Sequence, residues 1–282
     1  MRLGPCFCFI APGLIGHAGT ADWCGSRAVA LTDKARAIII ELIDAIGQPV
    51  HIVGHSYGGG VALKIARERP RHVASLALYE PSAFHILREA GADAREMLAE
   101  IEQIARAVGD GLVSGAYQQA VQEFVDYWNG PGGWASMRPD RRDALVKWLP
   151  KAPLDFQALI MDDMPLDRIG RVTCPALLLR GEYARRPSFG ICDLLAEHLP
   201  EQRTVIIAGA GHMGRSQMPT RSTRLSKRIC GRRSPATRTV SGSVPWPRDD
   251  RPAPYWREPA NQASRAAGGG GAPSRIARRA GF

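Results

Sequence analysis

The stretch Gly54-His55-Ser56-Tyr57-Gly58-Gly59 carries the strongest chemical signal in the chain. It follows the apolar run "PVHIV" and precedes "GVALKIARERP", whose apolar residues recur at helical spacing, so Ser56 falls where a buried strand gives way to a helix. So sharp a turn crowds the backbone. Glycines two residues before and two residues after Ser56, at Gly54 and Gly58, are expected to relieve that crowding and hold the hydroxyl forward. The Tyr57 amide, at the start of the helix, then points to where an oxyanion would form. The chemistry is attack by a serine hydroxyl, which needs a base to take its proton. Among seven histidines, His212 is the best placed, because it ends the last apolar strand, "RTVIIAGAGH", on a Gly-Ala-Gly turn. That is the carboxyl edge, where the sites of parallel sheets gather. His55 lies inside the turn and reads as shaping it, while His17, His51, His72, His85 and His198 sit in ordinary strand, turn or helix contexts.

The elements that must position these residues alternate. "IIIELIDAI" over 38–46 reads as a helix stopped by Gly47-Gln48-Pro49, then come the strand before Ser56, the helix after it ended by Pro70, and a second apolar strand, "VASLALYE". Helices alternating with continuous apolar strands predict an α/β fold, a mostly parallel sheet flanked by helices. From Pro81 to Val172 the sequence holds helical patterns only ("DAREMLAEIEQIARAVGDGL", "AYQQAVQEFVDYW", "RRDALVKWL"), an inserted helical cap. The alternation resumes with "CPALLLRGE", a helix over "SFGICDLLAEHLP", and the strand leading to His212. The expected organisation is thus core over 1–80, cap over 81–172, core over 173–214, and a basic tail over 215–282.

Charge separates that tail from the rest. Residues 215–282 hold 15 Lys and Arg against 3 Asp and Glu, which leaves 22 against 24 for residues 1–214, although the whole chain carries +10. The first 214 residues give no reason to expect nucleic acid as a partner, and the Arg/Pro/Gly/Ser-rich tail reads as disordered. The tail also lacks the interleaved aromatics of a nucleic-acid stacking surface. Six cysteines (Cys6, Cys8, Cys24, Cys174, Cys192 and Cys230) form no CxxC pair and no zinc-site spacing with histidine, so reduced thiols and no metal are expected. A cytoplasmic location is expected, and attack by a serine hydroxyl implies no cofactor. No apolar run is long enough to span a bilayer. The start, "MRLGPCFCFIAPG", loosely imitates a secretory signal, and a buried strand followed by a Gly/Pro turn explains it better.

With "PVHIVGHSYGG", "LALYEP" and "GAGHMG", the chain resembles the α/β-hydrolase family over about residues 9–214, within it the serine hydrolases that carry a helical cap. The resemblance implies Ser56 as nucleophile and His212 as general base. Many relatives carry the third residue, an aspartate, at the position of Ala184, so a plain transfer fails. Glu80, at the end of the strand after the nucleophile turn, and Glu182, after Gly181, are the alternatives. Some relatives place their acid at that strand end, and Glu80 is favoured, because Tyr79-Glu80-Pro81 also sits at the sheet's carboxyl edge. The resemblance also implies that the first strands and the loop giving a second oxyanion donor are missing, since "APGLIGHAGT" matches a segment one strand later. Relatives continue beyond "GAGHMG" into a closing helix. With suitable synonymous codons a frame displaced by one base at Gly214 would encode "PITNADAVN", so the tail is expected to be an out-of-frame sequence.

In the cap, Tyr127, Trp128 and Trp134, with Phe124, lie near a Gly-Pro turn and are candidates for an apolar substrate entrance, or for the cap's own core. The expected substrate is a small or medium apolar ester or similar acyl compound. Two other readings compete: a remnant that keeps the turn without a complete site, and nucleic-acid binding through the tail.

Overall fold

The computed structural model describes residues 8–15, 20, 29–214 and 238–239. Every element below lies within residues 10–245. The order is α1 (Val29–Ile46), β1 (Val50–His55), α2 (Tyr57–Glu68), β2 (Val73–Tyr79), α3 (Ala92–Ser114), α4 (Tyr117–Asn129), α5 (Gly133–Ser136), α6 (Pro139–Trp148), α7 (Ala152–Ile160), β3 (Ala176–Gly181), α8 (Arg186–His198), β4 (Gln202–Ile207) and β5 (Arg238–Thr239). Short 3₁₀ turns at Phe84–Arg88, Leu149–Lys151 and Leu166–Arg171 link the helices.

The strands form one parallel sheet in the order β1-β2-β3-β4-β5. Parallel neighbours need crossovers; α2 supplies the one from β1 to β2 and α8 the one from β3 to β4, each packed on the two strands it joins. The connection from β2 to β3 is the helical stretch, in which no strand occurs. The apolar runs that predict the strands become the core: Leu63, Ile65, Leu76, Leu78 and Leu178 are essentially without solvent contact. Burying each such side chain contributes about 1.5–3 kcal/mol.

Three differences from the sequence reading have physical reasons. Helix α1 starts at Val29, well before residue 38, because no glycine or proline interrupts "VALTDKARA" and its Ala, Lys and Arg favour helix. Cys8, Phe9 and Ile10, expected in a buried strand, are exposed and in no strand, since among the described residues no neighbouring strand pairs with them. Within the expected tail, Arg238–Thr239 pair with Val205 and Ile206; otherwise the expectations of disorder and of a displaced frame over 215–282 lie outside the described residues. No helix among these residues is long and apolar enough to cross a membrane.

Candidate active site

Sheet register brings the chemistry together. His55 pairs with Tyr79, Tyr79 with Leu179, and Gly181 with Ile207, so β1, β2, β3 and β4 end along one edge. The residues that follow are Ser56, Glu80, Glu182 and the loop to His212. The ladder continues one step beyond the strands: Ser56 N–H donates to the Tyr79 carbonyl at 3.1 Å and Glu80 N–H to Leu179 at 2.9 Å.

Ser56 has φ 51° and ψ −121°. It and Glu80, at φ 41°, are the two non-glycine residues with positive φ among the described residues. Such backbone costs on the order of 1–3 kcal/mol per residue and persists only where the surroundings impose it. What imposes it at Ser56 is contact between the turn and its neighbours. A Cβ on Gly54 would lie 2.7 Å from the Gly58 carbonyl oxygen and from Gly59 Cα, and one on Gly59 would lie 2.8 Å from Pro81. Gly58, expected to be needed as the second flanking glycine, has open space around it. The steric requirement therefore falls on Gly54 and Gly59, because the following helix brings Gly59 against the end of β2.

His212 Nε2 lies 3.1 Å from Ser56 Oγ, and its Nδ1 lies 2.8 Å from Glu80 Oε2. Since a carboxylate only accepts, Nδ1 carries the proton, and the Nε2 lone pair faces the serine. The other Glu80 oxygen accepts from the Gly181 amide at 2.9 Å. Both Glu80 and His212 are buried. Glu182 is exposed and accepts from the Gly209 amide at 2.9 Å, which closes the turn before His212. The structure thus joins Ser56, His212 and Glu80, and leaves Glu182 outside that line.

Two further side chains hold the His212 loop, and sequence reasoning assigned neither of them that part. Tyr79 Oη donates to the Gly211 carbonyl, and His55 Nε2 donates to the His212 carbonyl at 2.8 Å. Burial, followed by the neighbouring His212, lowers the pKa of His55. A third residue without a sequence signal is Ser82, whose hydroxyl lies 3.2 Å from Ser56 Oγ. A lone serine two residues past a strand end resembles any other loop serine.

The cap candidates separate. The Trp128 ring lies 4.5 Å from the His212 ring, centroid to centroid, and continues into Phe84 and Phe124. Tyr127 packs edge-on against Trp128 but gives its hydroxyl to Glu100 at 2.6 Å and lies under the Arg185 guanidinium. Trp134 is buried beneath Arg142, with its backbone N–H on Asp126, and no ring contact among the described residues joins it to Trp128. Tyr57, whose amide was the expected oxyanion donor, opens α2 at its first position. Burial, then Asp155, raises its hydroxyl pKa, and Lys151 sits over its ring.

The family model described as "Alpha/beta hydrolase family" matches residues 2–224. The chain is 40% identical over 73 residues, 26% of either chain, to a protein named lipase LipV of Mycobacterium tuberculosis. It is 28% identical over 155 residues to a pimeloyl-[acyl-carrier protein] methyl ester esterase of Chromobacterium violaceum, covering 54% of this chain and 59% of that one. The chain thus spans less than two thirds of the length of either relative. In fold it is similar to an alpha/beta hydrolase enzyme from a Medee basin deep-sea metagenome library, with TM-score 0.57 at 16% identity over 71% of this chain and 70% of that one.

Proposed function

The chain belongs to the alpha/beta hydrolase family, and from that premise we propose that it is a serine hydrolase acting on a small or medium apolar ester or similar acyl compound. The observation that carries this reading is the unbroken line from Ser56 Oγ through both nitrogens of His212 to buried Glu80. Ser56 Oγ attacks the acyl carbon as its proton passes to His212 Nε2, while Glu80 orients the ring and stabilises the imidazolium. The Tyr57 amide supports the carbonyl oxygen as it becomes an oxyanion. His212 then returns the proton to the departing alkoxide, and a water activated by the same base releases the acid and restores Ser56.

An apolar acyl group is favoured because the ring against His212 is Trp128, backed by Phe84 and Phe124. Tyr127 and Trp134 contribute as the wall behind Trp128 and as cap core, respectively. The relatives named as a lipase and as a methyl ester esterase act on bonds of the same kind by name. The test is hydrolysis of p-nitrophenyl esters of graded acyl length by the full chain and by Ser56→Ala, together with labelling of Ser56 by a fluorophosphonate. Hydrolysis of the shorter esters, lost in Ser56→Ala by at least about 1000-fold, is expected. Folded wild-type protein that neither hydrolyses nor becomes labelled would mean a remnant without catalysis.

A further inference from the structure

The reaction outlined above leaves Ser82 without a part, although its hydroxyl lies 3.2 Å from Ser56 Oγ. Ser82 is buried, its backbone N–H donates to the Ser56 carbonyl at 2.9 Å, and Gly60 packs so closely that a Cβ there would lie 2.9 Å from the Ser82 carbonyl. Backbone and side chain both tie it to the nucleophile turn. Beside it is a cavity of about 10 Å³ that it lines with Lys64, His85 and Asp162, room for one water. The lining is polar: Lys64 Nζ donates to Asp162 at 2.9 Å, and His85 beside them is buried.

Counting protons assigns the direction. Ser56 has one proton and two neighbours, His212 Nε2 and Ser82 Oγ. If that proton turned to Ser82, a lone pair of Ser56 would face a lone pair of His212 and the base would have nothing to take. With the proton on the His212 side, Ser82 must donate. We propose that Ser82 is a positioning residue: its O–H donates to Ser56 Oγ, directs the Ser56 proton to His212, and supports the negative charge that grows on Oγ as that proton leaves. This rests on Ser56 being the nucleophile.

The arrangement has a consequence that a packing role lacks: reactivity follows the hydroxyl at position 82, not the volume of the side chain. The experiment is the rate of fluorophosphonate labelling of the full chain. It compares wild type, Ser82→Ala, and the shape-matched pair Ser82→Thr and Ser82→Val, with folding checked by circular dichroism. Ser82→Ala and Ser82→Val are expected to label about 10- to 100-fold more slowly, the range for a hydrogen bond to a charged partner. Ser82→Thr is expected to stay within a few-fold of wild type. A wild-type rate in folded Ser82→Ala, or Ser82→Thr as slow as Ser82→Val, would overturn the proposal. Wild type that is not labelled at all would instead overturn the nucleophile assignment on which it rests.

Discussion

Glu80 and Glu182 end neighbouring parallel strands at the same edge of the sheet, each one residue past the last strand position. Each extends the ladder by one amide, Glu80 N–H to Leu179 and Glu182 N–H to Ile207. From there they diverge. Glu80 turns at φ 41° and buries both oxygens, one on His212 and one on the Gly181 amide. Glu182 does not share that positive φ, faces solvent, and holds the Gly209 amide. Gly181, directly before Glu182, gives its amide to Glu80, and a Cβ there would lie 2.3 Å from the Ala210 carbonyl oxygen, so only glycine lets the His212 loop close over β3. Two like carboxylates acquire different surroundings through the backbone at the strand end, not through their chemistry.

The largest expected effect breaks the comparison outright. Glu80→Gln keeps the shape but removes the charge that supports the imidazolium, and ester hydrolysis should fall by roughly 10⁴-fold, the order seen when a triad acid becomes an amide. Glu182→Gln should leave turnover within about 3-fold and cost about 1 kcal/mol of stability through its turn. Steady-state rates and urea unfolding of the two variants measure both quantities. If Glu182→Gln had the larger kinetic effect, the roles would be reversed.

The next effect concerns the contacts that force the strain at Ser56. Gly54→Ala and Gly59→Ala should each destabilise by about 1–3 kcal/mol or more, because the new methyl group meets backbone that cannot retreat. Gly58→Ala, with open space, should be tolerated. Thermal unfolding of the three variants would locate the constraint, and equal losses would show that the turn needs glycine flexibility in general. Smaller still is the strain itself. Ser56→Gly should unfold at higher urea than Ser56→Ala, by about 1 kcal/mol, because glycine accepts φ 51° without penalty.

The comparison also shows what could be read in advance. The strands and crossover helices were legible because continuous apolar runs and Pro or Gly stops are local signals: "VASLALY" is apolar but for Ser75 and of strand length. Ser56 was legible because its glycines mark the turn, yet which glycine matters was not, since Gly59 is constrained by Pro81, from another strand end. Choosing between Glu80 and Glu182 required resemblance, because their difference lies in a φ value and in a partner 132 residues away. Trp128, Tyr127 and Trp134 read alike, and only the contact of its ring with the His212 ring distinguishes the first. Ser82 had no signal at all.

The smallest expected effect is the part of the pH dependence that arises on the Glu80 side. His55 donates to the His212 carbonyl and lies among His212, Tyr79 and Glu80. Burial, then His212, lowers its pKa from 6.5 despite the opposing influence of Glu80. The sign follows from linkage. Below 6.5 the unfolded chain takes up a proton on this residue before the folded protein does, so stability falls as pH drops through 6.5 and levels off below the lowered folded value. His85, buried and lowered mainly by desolvation, adds a slope of the same sign. Replacing His55 with Asn keeps a donor and removes the titration. In urea unfolding at pH 7.5 and 5.5, His55→Asn should lose less stability on acidification than wild type, by the His55 share alone, while Glu182→Gln should follow wild type. A His55→Asn slope equal to that of wild type would place the acid sensitivity at His85, behind the nucleophile helix, and leave the His212 loop indifferent to the charge on its neighbour.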